Sequence, residues 1–257
     1  MKKTLIALTL ATVTVSGSAM AWTSSGIGGT FEMGGTLTPL DKATPWEVMV
    51  GTNQTTLNAD VSKGTTSVSI PVGTSIPVLG IRTKLKQAFT GMSGIAPQID
   101  FKGAIDPTKF SNGVTTLTLD VKDSAGLKIG KLTVPFSSAA VFSQKGVANE
   151  YRNQDTGGGS AIQAYKGGLG VGGQLASDAP SLLDKLSPEF MANFNAQGFT
   201  YNPTSYFSSF SDTGTTYSSA YGSGINAGSQ IKITFDNPVD DKTVSWKASL
   251  PVSVSYL

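Results

Sequence analysis

The chain has 257 residues, with 19 lysines and arginines against 17 aspartates and glutamates, and this near balance offers no electrostatic footprint for nucleic acid. It contains no cysteine and no histidine, which removes thiolate chemistry, disulfides and the commonest general base and metal ligand. Only 14% of residues are charged and 30 are glycine, the balance of an all-β extracellular protein rather than a cytosolic α/β enzyme, and no cofactor is expected.

In chain order, the first feature is an address label. Lys2 and Lys3 precede an apolar run from Leu5 to Val15, and Ala19-Met20-Ala21 forms a cleavage site, so residues 1–21 read as a signal peptide and Trp22 as the mature start. The run is shorter than the roughly 20 residues that cross a membrane. Without Lys2 and Lys3, positive and negative side chains are equal in number.

Residues 22–38 carry the clearest pattern. Ile27, Gly29, Phe31, Met33, Gly35 and Leu37 occupy every second position, so a strand would present them on one face. Glycine weakens a strand interior, and two on the apolar face suit a place where another backbone approaches closely.

Further strands are predicted at 46–50, 67–72, 78–84, 98–102, 115–121, 127–136 and 139–142. Turns at Asn112-Gly113 and Asp123–Gly126 separate some of them, the second closing a hairpin. Many short strands with such punctuation predict a β-sandwich. From 146 to 211 the rhythm breaks, with glycine clusters at 157–159 and 167–173. Two short helices are expected there: Ala179–Leu186 capped by Asp178, and a second capped by Ser187, with Pro188 first and Gly198 as the stop. Such an insertion carries function more often than the scaffold does. Strands return at 230–235 and 244–248, and in the closing run Leu250, Val252, Val254 and Tyr256 share one face.

Some motifs have bland readings. The stretch Gly168–Gly173 fits a dinucleotide-binding spacing but lacks the flanking strand and helix, so it reads as a flexible loop. Asp240 and Asp241 follow Asn237-Pro238 as a solvated turn. Tyr151, Arg152, Tyr165 and Tyr206, with Tyr201, Phe207 and Phe210, gather around the insertion. Individually they read as packing residues; together they offer a shallow sugar-binding surface, with Tyr151, Arg152, Tyr165 and Tyr206 as the candidate glycan contacts.

The segment Gly28-Gly-Thr-Phe-Glu-Met-Gly-Gly35, the Trp46-Glu47 strand, Leu79–Lys84, Pro97–Phe101, Ser219–Ile225 and the last strand with penultimate Tyr256 together resemble chaperone–usher fimbrial subunits. The resemblance is to the cysteine-free kappa class (Fae-type), covers nearly the whole chain, and is poor in the 146–211 insertion. It implies an incomplete immunoglobulin-like sandwich over residues 39–257 that lacks one strand. Ile27, Gly29, Phe31, Met33, Gly35 and Leu37 would be the donor strand that completes a neighbouring subunit. Leu250, Val252, Val254 and Tyr256 would be the strand held first by a periplasmic chaperone. Assembly would follow at an outer-membrane usher into a head-to-tail polymer on the cell surface, with a host glycan as receptor. The alternatives are a purely structural minor subunit and a secreted β-sandwich lectin or carbohydrate-active protein, whose fold would be closed without residues 22–37.

Overall fold

The computed structural model of the chain describes residues 43–157, 162–240 and 243–257. The leader at 1–21 and the segment bearing Ile27, Gly29, Phe31, Met33, Gly35 and Leu37 lie outside the described residues.

Among the described residues, thirteen strands and one α-helix follow in order: β1 Trp46–Val50, β2 Ser67–Pro71, β3 Ile76–Thr83, β4 Phe89–Thr90, β5 Pro97–Asp100, β6 Val114–Lys122, β7 Lys128–Lys145, β8 Asn149–Gln154, α1 Ala179–Leu186, β9 Tyr201–Tyr206, β10 Thr216–Ile225, β11 Gln230–Phe235, β12 Lys247–Ala248 and β13 Ser253–Tyr256. Eleven strands form one large sheet along the path β1-β3-β10-β7-β11-β2, and β5 and β13 form a small second sheet. The architecture is the expected all-β sandwich.

The long strand β7 organises the large sheet. Its first half pairs with β6 and β11, its second half with β8 and β10. The two strands predicted at 127–136 and 139–142 are therefore one continuous element. Asp123 closes the β6–β7 hairpin by accepting from the backbone N–H groups of Ala125 and Leu127, each at 2.9 Å. The Asn112-Gly113 turn has both residues at positive φ, +48° and +77°, the mirror-image turn that a tight β connection favours.

One core lies between the sheets. Leu79 and Ile81 of β3, Leu117 and Val121 of β6, Leu132 and Phe136 of β7, Tyr221 of β10, and Ile231 and Ile233 of β11 meet Ile99 of β5 there. A second cluster lies on the opposite face of β7 and β10. Ala139, Val141 and Ala220 meet Leu183, Leu186 and Phe190 of the insertion, with Tyr151 beside them. The middle of the large sheet is thus buried on both faces, and β10 is buried along nearly its whole length. Its sequence, Thr-Tyr-Ser-Ser-Ala-Tyr-Gly-Ser-Gly-Ile, has no polar–apolar alternation, and so no strand was predicted from it.

The insertion is less helical than its pattern predicts and contains strands. Asp178 caps α1 by accepting from the Ser181 N–H at 3.2 Å. The second expected helix is one 3-10 turn, Pro188–Met191, ending well before Gly198. It stops once Phe190 is seated: an added Cβ at Gly222 or Gly80 would lie 2.2 Å or 2.5 Å from its ring. Around the helices, β8 adds to β7 and β9 pairs with β8 in parallel. The glycine stretch 168–173 packs as a fixed loop rather than a flexible one, because Leu169 enters the main core and Gly168 lies against Ile99 and Tyr221.

Candidate strand-acceptor groove

The two strands at the chain's ends each leave one edge unpaired among the described residues. Just beyond the β5–β13 ladder, Ala96 and Leu257 exchange backbone hydrogen bonds of 3.1 Å in both directions. Bonded and non-bonded pairs alternate in an antiparallel ladder. Ser255 opposite Gln98 and Ser253 opposite Asp100 therefore bond to β5, while Val254 and Tyr256 aim their N–H and C=O groups away from it. The side chains follow the same parity. Leu250, Val252, Val254 and Tyr256 pack, partly buried, on the main core, and Ser253 and Ser255 face outward. The predicted stripe is thus one inner face, and its backbone supplies a free hydrogen-bonding edge.

Strand β1 is built in the same way. Lys84 N–H donates to the Pro45 carbonyl (2.8 Å) and Gly51 N–H to the Val78 carbonyl (2.9 Å), which places Glu47 and Met49 in the bonded positions against β3. Trp46, Val48 and Val50 turn their backbone groups outward. Trp46 faces the core, and its indole N–H donates to the Ile95 carbonyl at 2.6 Å. Val48 and Val50 lie on that same face by alternation, yet Val50 is 69% exposed. An inner-face valine in water marks a place where a covering element is missing. This wall of the groove was not predicted; its signal was the run Val48-Met49-Val50, with no polar residue to close the strand.

The two free edges converge at one end, which we call the Thr44 pole. There the Tyr256 hydroxyl hydrogen-bonds the Thr44 side chain, and Trp46 reaches the segment that pairs with Leu257. Since β1 starts and β13 finishes at this pole, they run in opposite directions. Away from both edges, a cleft of about 350 Å³ opens over the inner face of β2 and β11, lined by Val68, Ile70, Ile233, Phe235, Val244 and Trp246 among others. The strand predicted at 244–248 is ordered as a pair only at Lys247–Ala248, so Val244 and Trp246 stand beside this cleft instead of within the sheet. A surface with free backbone groups flanking apolar positions has the features that strand addition requires of an acceptor.

The four candidate glycan contacts do not form one surface. Tyr165 is wholly buried in the main core at a positive φ of +64°, its hydroxyl 2.9 Å from that of Ser219 and its ring stacked on Tyr221. Burial pushes its hydroxyl far above the usual tyrosine range. Tyr151 is buried against Phe194 and Tyr201, with the same effect. Both pack the fold and cannot touch a ligand in solution. Arg152 is part-exposed, pairs with Glu150 and donates to the Thr204 hydroxyl at 2.6 Å. Tyr206 is 46% exposed and stacks on Phe207, ring centroids 4.8 Å apart and planes inclined by 13°. Phe210 is buried among Trp46, Phe89 and Tyr217. Sequence proximity grouped these residues; the sheet separates them by alternation.

The chain is 33% identical to K88 fimbrial protein AB and 32% identical to K88 fimbrial protein AC, and 27% identical to the F41 fimbrial protein, all of Escherichia coli. Each alignment covers the full length of both chains. The family model described as "Fimbrial, major and minor subunit" matches residues 1–257, and the chain belongs to that family of fimbrial subunits.

Proposed function

We propose that this fimbrial subunit polymerises by donor-strand exchange and has no catalytic role. The observation that carries the reading is the pair of free, inward-apolar edges on β1 and β13, in a chain whose own residues 27–37 have the complementary period. In the fibre, Ile27, Phe31, Met33 and Leu37 of one copy fill the apolar groove of the next. Gly29 and Gly35 sit where the groove is tight. Each large side chain buried contributes about 1.5–3 kcal/mol. The backbone groups of Val254 and Tyr256 on one side, and of Val48 and Val50 on the other, supply the ladder. Before assembly a periplasmic chaperone covers the same edge and contacts Leu250, Val252, Val254 and Tyr256. The usher then exchanges chaperone for subunit. Residues 1–21 direct export, 22–38 form the donor extension, and 39–257 form the subunit body with its insertion at about 146–211.

The test compares a mature chain lacking residues 22–37 with one carrying that segment behind a linker at the C-terminus. Thermal unfolding and sizing are the readouts. Loss of a stable fold on truncation, and a robust monomer on relocation, is the expected result. A truncated chain that is equally stable means the sandwich is already closed, and the reading fails.

An adhesive role is the second reading, supported by the exposed Tyr206–Phe207 stack beside Arg152 and Thr204. Two parallel ring faces offer apolar contact to a sugar, with the guanidinium and hydroxyl nearby to orient it. Glycan binding by the relocated monomer, lost in Tyr206→Ala and Phe207→Ala at unchanged melting temperature, is expected. Absence of binding, or binding indifferent to both substitutions, leaves a purely structural subunit.

A further inference from the structure

Resting on the strand-exchange reading, we infer that the Thr44 pole is the face on which a second copy of this chain seats in the fibre, with Leu85, Met92 and Val147 as its apolar contacts. Four strands place their ends there. Trp46 of β1 is opposite Thr83 at the end of β3, Ala220 of β10 is opposite Arg82, and Thr216 at the start of β10 is opposite Lys145 at the end of β7. The loops leaving these ends carry large apolar side chains in water: Leu85 after β3 is 64% exposed, Val147 between β7 and β8 is 77% exposed, and Met92 after β4 is 43% exposed. Scattered single hydrophobic residues on a surface need no explanation, but three on the loops of one pole do.

The loops are tied to one another, which gives the pole a fixed shape. Thr215 joins two of them, its carbonyl accepting from Gly91 N–H at 2.9 Å and its hydroxyl from Val147 N–H at 3.1 Å. Met92 N–H donates to the Phe210 carbonyl at 2.9 Å. The Lys84 carbonyl beside Leu85 accepts from the Asn193 amide at 3.0 Å, and its N–H donates to Pro45. Leu85, Met92 and Val147 are therefore held out by fastened backbone and are not the tips of loose loops.

The position of the chain selects the occupant. Residue 43 leaves the body at this pole, because Thr44 and Pro45 are bonded to Tyr256 and Lys84 there. Six residues, and so seven Cα–Cα steps, separate Leu37, the last donor position, from Thr44. Fully extended they reach about 25 Å. A copy that has captured residues 27–37 is thus tethered close against the Thr44 pole, and burying the three side chains limits pivoting about the tether.

The absence of native cysteine, and the distinct positions, make site-specific cross-linking readable. A photo-activated residue is placed at position 85, 92 or 147, with position 232 on the exposed outer face of β11 as the control, in fibres assembled by the full chain. Illumination is expected to give a ladder of covalent dimers and higher multimers from 85 and 147, weaker at 92, and none from 232. Fibres that disappear on deletion of residues 22–37, yet yield no ladder from 85, 92 or 147, overturn this inference and leave strand exchange standing. A chain that polymerises without residues 22–37 overturns both.

Discussion

Gly222 and Gly80 lie side by side on β10 and β3 in direct register, and the ring of Phe190 occupies the space that two Cβ atoms would need. The insertion therefore docks with an aromatic plug on a bare patch of sheet, beside Leu183 and Leu186 and fringed by the Arg82 guanidinium that links Glu47 and Glu189. Phe190→Ala is expected to cost about 3–5 kcal/mol. Gly222→Ala should cost about 1–3 kcal/mol by overpacking. Because both act on one contact, the double variant Gly222→Ala/Phe190→Leu should lose less than the sum of its parts, measured by denaturant unfolding. Full additivity would mean that Phe190 is not the plug. Titration belongs to the same scale. Hydrogen bonds from Lys102, Thr108 and Lys128 hold Asp100, Asp106 and Asp120 below the ordinary 3.8, so their contribution is present above that value and fades as pH falls through the lower folded values. Burial holds Tyr165, Tyr221 and Tyr151 above the ordinary 10.0, so stability is kept below pH 10 and lost as pH rises beyond it. With no histidine, the melting temperature should be flat between these limits, and tyrosinate absorbance of these three should appear only on unfolding. A sloping neutral region would contradict this.

At the scale of elements, β13 and β1 are half-paired strands whose backbone and side-chain parities agree. Each residue with an inward apolar side chain also has an outward-facing free N–H and C=O. Free edges of this kind invite pairing with any extended chain, and a subunit destined to polymerise needs them covered until assembly. Val254→Asp places a charge on the inner face and should abolish incorporation into fibres, with a cost above the roughly 1.5–3 kcal/mol of a buried valine. Ser255→Asp lies on the outward face of the same strand and should incorporate normally. Equal behaviour of the two variants, measured as the polymer fraction by sizing, would rule out the inward register. The parity is a product of strand geometry, so the alternating final run of the sequence already contained it. That Val48 and Val50 form the opposite wall was hidden, because a strand's burial does not reveal which of its edges is paired.

Across the whole molecule the large sheet is a scaffold with two differently used ends and two differently used faces. One face of β7 and β10 holds the sandwich core, the other the insertion, which is why these strands are free of charged residues between Ser137 and Gln144 and between Thr216 and Ile225. The Thr44 pole gathers Thr44, at the start of the described body, and Leu257, which are neighbours in space though remote in sequence. A head-to-tail contact that does not close on itself propagates as a filament. The relocated chain, with its own segment in its own groove, should therefore be monomeric at every concentration, with a melting temperature independent of concentration. Concentration-dependent melting would show that the groove is still filled between copies.

Sequence alone determined the all-β class, the extent of β1 and β11, the hairpin at Asp123–Gly126, the cap at Asp178 and the common face of Leu250, Val252, Val254 and Tyr256. Each of these follows from local rules: a period of two, turn chemistry or a capping side chain. Tertiary structure decided the rest. It buried β10 on both faces and erased its alternation, and it joined two predicted strands into β7 because both halves had partners. It shortened the second helix to the turn that seats Phe190. It sent Tyr151 and Tyr165 inward while leaving Tyr206 in water, since neighbours in sequence diverge when their strands pair with different partners. The groove itself is a relation between the first and last strands of the body, brought together only by the fold, and no local pattern in either strand could state it.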